Sequence, residues 1–274
     1  MKSKTVRTAS LNMQWKPVTI GEIVFLFLYR HLGQHIDVSD QQSDLEFLVT
    51  PNRFKEFAQL AATLEVFLRT VRAASRTYAM NPGATVSLYG QNARNEADLP
   101  ASVAIDSEFR ALLRDLGRVA HERRRNQPIE KNILRGGNAS CYLCGADLVL
   151  TGNAHNKATV DHVWPLRFGG EGLEENLAVS CKDCNEKKGH AATWAWGPVV
   201  STYEELTDAN TSLNSPLRIS LILARIMSEA SSPARRSTLK EAAARIWPAA
   251  SNVTMSPNHP HLYFECLKSV ERPK

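Results

Sequence analysis

Residues 141–190 read CYLCGADLVLTGNAHNKATVDHVWPLRFGGEGLEENLAVSCKDCNEKKGH, and this stretch decides the fold. Four of the chain's 5 cysteines stand in it as two Cys-x-x-Cys pairs, Cys141/Cys144 and Cys181/Cys184, with 36 residues, Gly145 to Ser180, between them. Met1 to Trp15 lacks the apolar core of a secretory signal. The pairs therefore read as metal thiolates rather than as a disulfide frame. Four thiolates complete a tetrahedral Zn²⁺ with no open position, which makes the expected ion structural. A segment this short, with few large apolar side chains, needs such a clamp, because metal binding supplies folding free energy. The opposing reading is two unrelated knuckles or redox pairs. Cys266 is left over and reads as a buried, inert thiol.

The residues enclosed by the knuckles carry chemistry. Thr159 to Val163 reads as a short strand centred on Asp161-His162, a carboxylate beside an imidazole. Neighbours on a strand point to opposite faces, so the two serve one site only where the strand bends or ends. Pro165 and Gly169-Gly170 supply that ending. Leu177 to Ser180 fits a second strand, and Lys182 to Lys188 a helix of about two turns. On that helix Asn185 directly follows Cys184, so the knuckle fixes its position.

Asp161-His162-x-x-Pro, then Glu175-Asn176-Leu177, then Cys181-x-x-Cys184-Asn185-x-x-Lys188-Gly189 resembles the HNH endonucleases with a ββα-metal core. The subgroup carrying four zinc cysteines is the most similar. Ile133-Leu134-Arg135 and the Gly-rich turn before Cys141 are also similar to that family. The resemblance implies a nuclease in which His162 is the general base and Asp161 and Asn185 hold a catalytic Mg²⁺ or Mn²⁺. It implies that Asn176 is structural, tying the loop that orients His162. The chemistry agrees: an imidazole with an intrinsic pKa of about 6.5 suits a base at neutral pH, and hard oxygen ligands suit those cations. There are departures. The third motif position is Asn185 instead of His, and the next family ligand position is Gly189. His190 is read as a surface residue at the helix end and His155 as a loop histidine without a role. Lys187 and Lys188 are candidates for holding phosphate, although lysines at a helix end also favour its dipole.

Outward from this stretch the chain changes character. From Arg110 to Arg135 lie 8 basic residues against Asp115, Glu122 and Glu130, so this segment carries the whole formal charge of +5. Arg123, Arg124, Arg125 and Arg135 are candidate nucleic-acid contacts, since guanidinium pairs with phosphate through two hydrogen bonds. A solvated helix face is the alternative. A helix is expected within Thr19 to Gln34. A second starts at Pro51, with Phe54, Phe57, Ala61, Leu64, Leu68, Val71 and Tyr78 at 3-4 spacing, Leu60 and Phe67 widening the stripe, and Arg69, Arg72 and Arg76 on another face. That stripe reads as a core side, with docking of a partner as the rival. Asn81 to Ser102 reads as loop with a short strand at Thr85 to Tyr89. A third helix runs from Asp106 or Ser107 to about Arg125, with Pro128 as its stop. Pro216 to Glu229 and Arg235 to Trp247 are further helix candidates.

Hydrophobic residues make up 43% and charged residues 22% of the 274, ordinary globular usage that excludes a wholly disordered or fibrous chain. The longest apolar run, Ile23 to Tyr29, is far short of the ~20 residues that cross a bilayer, so no membrane is expected and the cytoplasm is the default location. The expected fold is α+β, mostly helical, with a zinc-clamped ββα-metal module embedded between helical regions. The expected divisions are 1–105, of unknown role; 106–135, arginine-rich and leading into the nuclease; 136–195, the nuclease module; and 196–274, helical. The expected function is metal-dependent hydrolysis of DNA with weak sequence preference, in a phage-defence or restriction setting. A protein partner or self-association through the N-terminal helices goes with that setting. The alternative is a zinc-stabilised nucleic-acid-binding or scaffold protein without activity.

Overall fold

The computed structural model describes residues 16–32, 51–136, 140–142 and 146–188, with residues 237, 238 and 241. The helix candidates at 216–229 and, apart from those three positions, 235–247 lie outside them, as do Cys144, Gly189, His190 and Cys266. The described chain is mostly helical, with α1 (Ile20–Leu32), α2 (Pro51–Met80), α3 (Val86–Ala97), α4 (Ala101–Ala104), α5 (Ser107–Glu122) and α6 (Gln127–Gly136). An antiparallel hairpin of β1 (Ala158–His162) and β2 (Leu177–Cys181) follows, then α7 (Lys182–Lys188).

Helix α1 begins at a Thr-x-x-Glu capping box. The Thr19 amide donates to Glu22 Oε2 at 2.9 Å, and the Glu22 amide donates back to Thr19 Oγ1 at 3.3 Å. Glu22 is buried, and burial raises its carboxyl pKa against the hydrogen bonds from Thr19 and Val18. The apolar face of α1 (Val24, Phe25, Leu28) packs on α2, where Phe67, Leu68 and Val71 of the expected stripe are buried together with Ala74. The α2 start at Pro51 is as its sequence foretold. Helix α5 starts at Asp106, whose carboxylate accepts from the Phe109 amide at 2.8 Å, and it buries Phe109, Leu113 and Leu116 against α1 and α2.

Three expectations are corrected. Asn81 to Ser102 is not loop with a strand at Thr85 to Tyr89: Pro82-Gly83 make the turn, and α3 and the start of α4 fill the rest. Tyr89, Ala93 and Ala97 recur every four residues on the buried face of α3, and Gly90 packs there against the Ala104 carbonyl. Three of those four residues are small, so the face buries close packing with almost no hydropathy to announce it. The third helix also ends earlier than Arg125. Glu122 is its last residue, and Arg123 turns the chain in the left-handed region at φ 48°. Pro128 is not a stop but the second residue of α6, where its missing N–H costs nothing.

The hairpin pairs Ala158 with Cys181 and His162 with Leu177, while α6 and α7 both pack against the two strands. The strand bounds differ from the sequence reading by a residue at one or both ends, and α7 matches it. The hairpin module does not sit apart from the helices. Trp164, fully buried, meets Phe25 edge-on at 5.9 Å and Phe67 at 5.6 Å between ring centroids, so one core runs through both. The first turn of α1 rests on the loop after β1. Its Ile20 amide donates to Glu171 Oε2 at 3.1 Å, and its Gly21 amide donates to the Gly169 carbonyl at 3.0 Å. Only glycine permits this approach, because a Cβ on Gly21 would fall on the Phe168 carbonyl and the Trp164 indole nitrogen.

Candidate metal and nuclease site

At the first knuckle the Cys141 amide donates to the Ala146 carbonyl at 2.9 Å, and Ser140 pairs with Asp147. The Tyr142 amide then donates to the Val179 carbonyl at 3.1 Å, fastening the knuckle to β2. The second knuckle begins where β2 ends. Its Cys184 amide donates to Cys181 Sγ at 3.3 Å, and the following amides of Lys182 and Asp183 donate to the carbonyls of Lys157 and His155 at 2.8 and 3.1 Å.

The result is a cluster: the Sγ atoms of Cys141, Cys181 and Cys184 are all buried and lie within 4.8 Å of one another. Tetrahedral thiolates around one Zn²⁺, at roughly 2.3 Å each, stand about 3.8 Å apart, so these three fit a shared ion after small closure. They are thiols, not disulfides.

Asp161 and His162 are the last two residues of β1, and both are buried, at 3% and 8% exposure. The Asp161 carboxylate faces the first knuckle, where the Tyr142 hydroxyl donates to Oδ2 at 2.5 Å. Burial, above all, and the adjacent Asp161 charge push the Tyr142 phenol far above its ordinary pKa. It therefore stays protonated and keeps donating. Asn185 lies against the same strand. Its amide nitrogen donates to Thr159 Oγ1 at 3.0 Å and to the Val160 carbonyl at 3.1 Å. Since a carbonyl only accepts, those contacts settle which end of the amide is nitrogen and reserve Oδ1 for another partner. Thr159 is itself oriented by donating to the Ser180 carbonyl at 3.1 Å.

Asn176, buried at 2% exposure, closes the loop between the strands. Its Oδ1 accepts from the Trp164 amide at 2.7 Å, and its Nδ2 donates to the carbonyls of Trp164 and Glu171, both at 3.0 Å. The Val163 amide donates to the Asn176 carbonyl at 2.8 Å. The backbone that leaves His162 is thus held by one side chain through three hydrogen bonds.

The arginine run lies elsewhere. Arg123 donates from Nε to the Ala120 carbonyl at 3.2 Å, Arg124 meets Glu122 at 3.0 Å, and Arg125 pairs with Glu130 through two nitrogens. Arg118, Arg124 and Arg125 face residues Gly170 to Leu173 across an open cleft of about 460 Å³. Arg135 is exposed in the last turn of α6. Lys187 and Lys188 continue the backbone of α7, and His155 is an exposed loop residue. Tyr142, Thr159 and Glu171 were not singled out from the sequence. Only Tyr142 carried a signal there, as the sole hydrogen-bonding side chain between the paired cysteines Cys141 and Cys144.

Residues 141–195 match the family model of the HNH endonucleases, so the chain carries an HNH domain over that span. No curated protein and no solved structure matches the chain. No helix among the described residues is long and apolar enough to cross a membrane.

Proposed function

We propose that the chain is a metal-dependent endonuclease hydrolysing phosphodiester bonds of DNA. In this reading His162 is the general base, Asp161 and Asn185 hold one Mg²⁺ or Mn²⁺, and Cys141, Cys144, Cys181 and Cys184 hold a structural Zn²⁺. One observation carries it. Within the span that matches HNH endonucleases, β1 ends in Asp161-His162, and the knuckle helix presses Asn185 onto the two residues before them.

His162 takes a proton from the attacking water, whose oxygen bonds to phosphorus as the bond to the 3′-oxygen breaks. Asn176 keeps the backbone beyond His162 from drifting, so the imidazole is presented in one orientation. Asp161 and Asn185 supply two hard oxygens, a donor set suited to Mg²⁺ because it leaves positions for phosphate and water. When bound, that cation supplies Lewis acidity at the phosphate and the leaving oxygen. Burial of Asp161 beside Tyr142 is consistent with a carboxylate held in one aim. Arg124, Arg125 and Arg135, with Lys187 and Lys188, are the proposed backbone contacts; Arg123 joins them at the turn. Such contacts carry affinity and little sequence preference.

We take 136–195 as the nuclease module, 106–135 as the segment leading into it, and 1–105 and 196–274 as flanking regions that support or regulate it. A cytoplasmic protein of restriction or phage defence, with a protein partner or a second copy on its N-terminal helices, is the setting that suits this arrangement. Incubation of the purified full chain with supercoiled plasmid in Mg²⁺, in Mn²⁺ and in EDTA tests the reading. Nicked or linear product in either cation and none in EDTA is expected. DNA binding without cleavage in any cation would overturn it in favour of the inactive scaffold.

A further inference from the structure

Tyr142 stands between two sites that the chain keeps chemically distinct. It is the neighbour of Cys141 in the sulfur cluster, and its hydroxyl is bonded to the carboxylate at the end of β1. Its own backbone is fixed by the Val179 carbonyl, and the residue is 7% exposed, so it has little freedom to swing away. Asp161 lies 19 residues on in sequence, and the hydroxyl joins its side chain directly to the knuckle.

A carboxylate has two oxygens and rotates about one bond. A donor fixed on Oδ2 stops that rotation and makes Oδ1 the oxygen directed to a cation. We infer that Tyr142 is a positioning residue: through its hydroxyl, the thiolate-held metal sets the aim of the carboxylate that binds the catalytic cation. The inference rests on the reading of Asp161 as a cation ligand. It adds that the two metal sites are coupled, the hydroxyl giving a route from the knuckle to the hydrolytic centre beside the one through Asn185. Partners that hold metal-binding side chains in place are commonly worth about 10- to 100-fold in metal affinity or activity, and Tyr142 belongs in that range.

The test uses the full chain with Tyr142→Phe and Asp161→Asn. Zinc content is measured by elemental analysis, DNA cleavage is followed against Mg²⁺ concentration, and Mn²⁺ binding without DNA is followed by electron paramagnetic resonance. Tyr142→Phe is expected to keep its zinc and its KM for DNA. It should need about 10- to 100-fold more Mg²⁺ for half-maximal cleavage, and its Mn²⁺ binding should weaken by a similar factor. Asp161→Asn is expected to be inactive at every Mg²⁺ concentration. A Tyr142→Phe protein with wild-type Mg²⁺ and Mn²⁺ dependence, beside an inactive Asp161→Asn, would overturn the positioning role and leave the nuclease reading intact. Loss of zinc from Tyr142→Phe would overturn it too, by showing that the tyrosine serves only the knuckle. An Asp161→Asn variant that cuts like wild type would instead overturn the assignment of Asp161 beneath it.

Discussion

Helices α1, α2 and α5 and the hairpin module of residues 140–188 differ in the chemistry they bury beside their apolar side chains. The helices bury Phe25, Leu28, Phe67, Phe109 and Leu113, none of which has any partner requirement beyond close packing. The module buries Asp161, His162, Asn176, Ser180 and three cysteines, and most of these need a hydrogen-bond or metal partner to be tolerated. The hairpin also buries Val160, Leu177 and Val179, and the helices also bury Glu22, Thr63, Thr70 and Thr77, so the difference lies in the sulfur cluster and the Asp161-His162 pair. That difference singles out the module as the candidate site, and the helices share one core with it. The bridge between the two is Trp164. It lies in the module's sequence and in the helices' core, and its indole nitrogen donates to the Phe168 carbonyl at 2.8 Å, inside the loop.

Breaking that bridge should give the largest effect. Trp164→Ala removes a fully buried side chain, and losses of about 3–5 kcal/mol are usual for such a truncation. Because Phe25 and Phe67 lean on the same ring, helical and module signals are expected to fall together in a thermal melt followed by circular dichroism and by zinc release. Zinc release at low temperature with the helical melt unmoved would show that the module folds on its own, and the contrast would then mark two domains rather than one body.

The smallest expected effect sharpens the same contrast from the surface. Arg124 and Arg125 are exposed but already paired with Glu122 and Glu130, so the proposed hold on phosphate would compete with those acids. Replacing both with serine should flatten the slope of log affinity for DNA against log salt by about one to two, with cutting at low salt nearly retained. An unchanged slope would assign the pair to holding the α5–α6 turn together.

How far the sequence foretold these regions follows the same division. The module was legible because its rules are local: Cys-x-x-Cys fixes a knuckle, a knuckle fixes the helix after it, and Lys182–Lys188 came out as read. The start of α2 was legible from Pro51, and its buried side from the spacing of Leu68 and Val71. Helix α3 was hidden because Gly90, Ala93 and Ala97 pack by being small, and the Asn-Pro-Gly before it reads as loop. The break after Glu122 was hidden because an arginine, and not a glycine, takes the left-handed position. Tyr142 and Glu171 depend on partners 19 and 151 residues away, Asp161 and Ile20, which no local pattern pairs.

The buried Asp161-His162 pair at the end of β1 is proposed to serve hydrolysis. The most direct measurement is single-turnover cleavage of DNA in Mg²⁺ by His162→Ala beside the wild type, at matched zinc content and matched DNA affinity. A fall in rate of at least about 100-fold is predicted, as for removal of a general base. Cutting at the wild-type rate by the variant would contradict it.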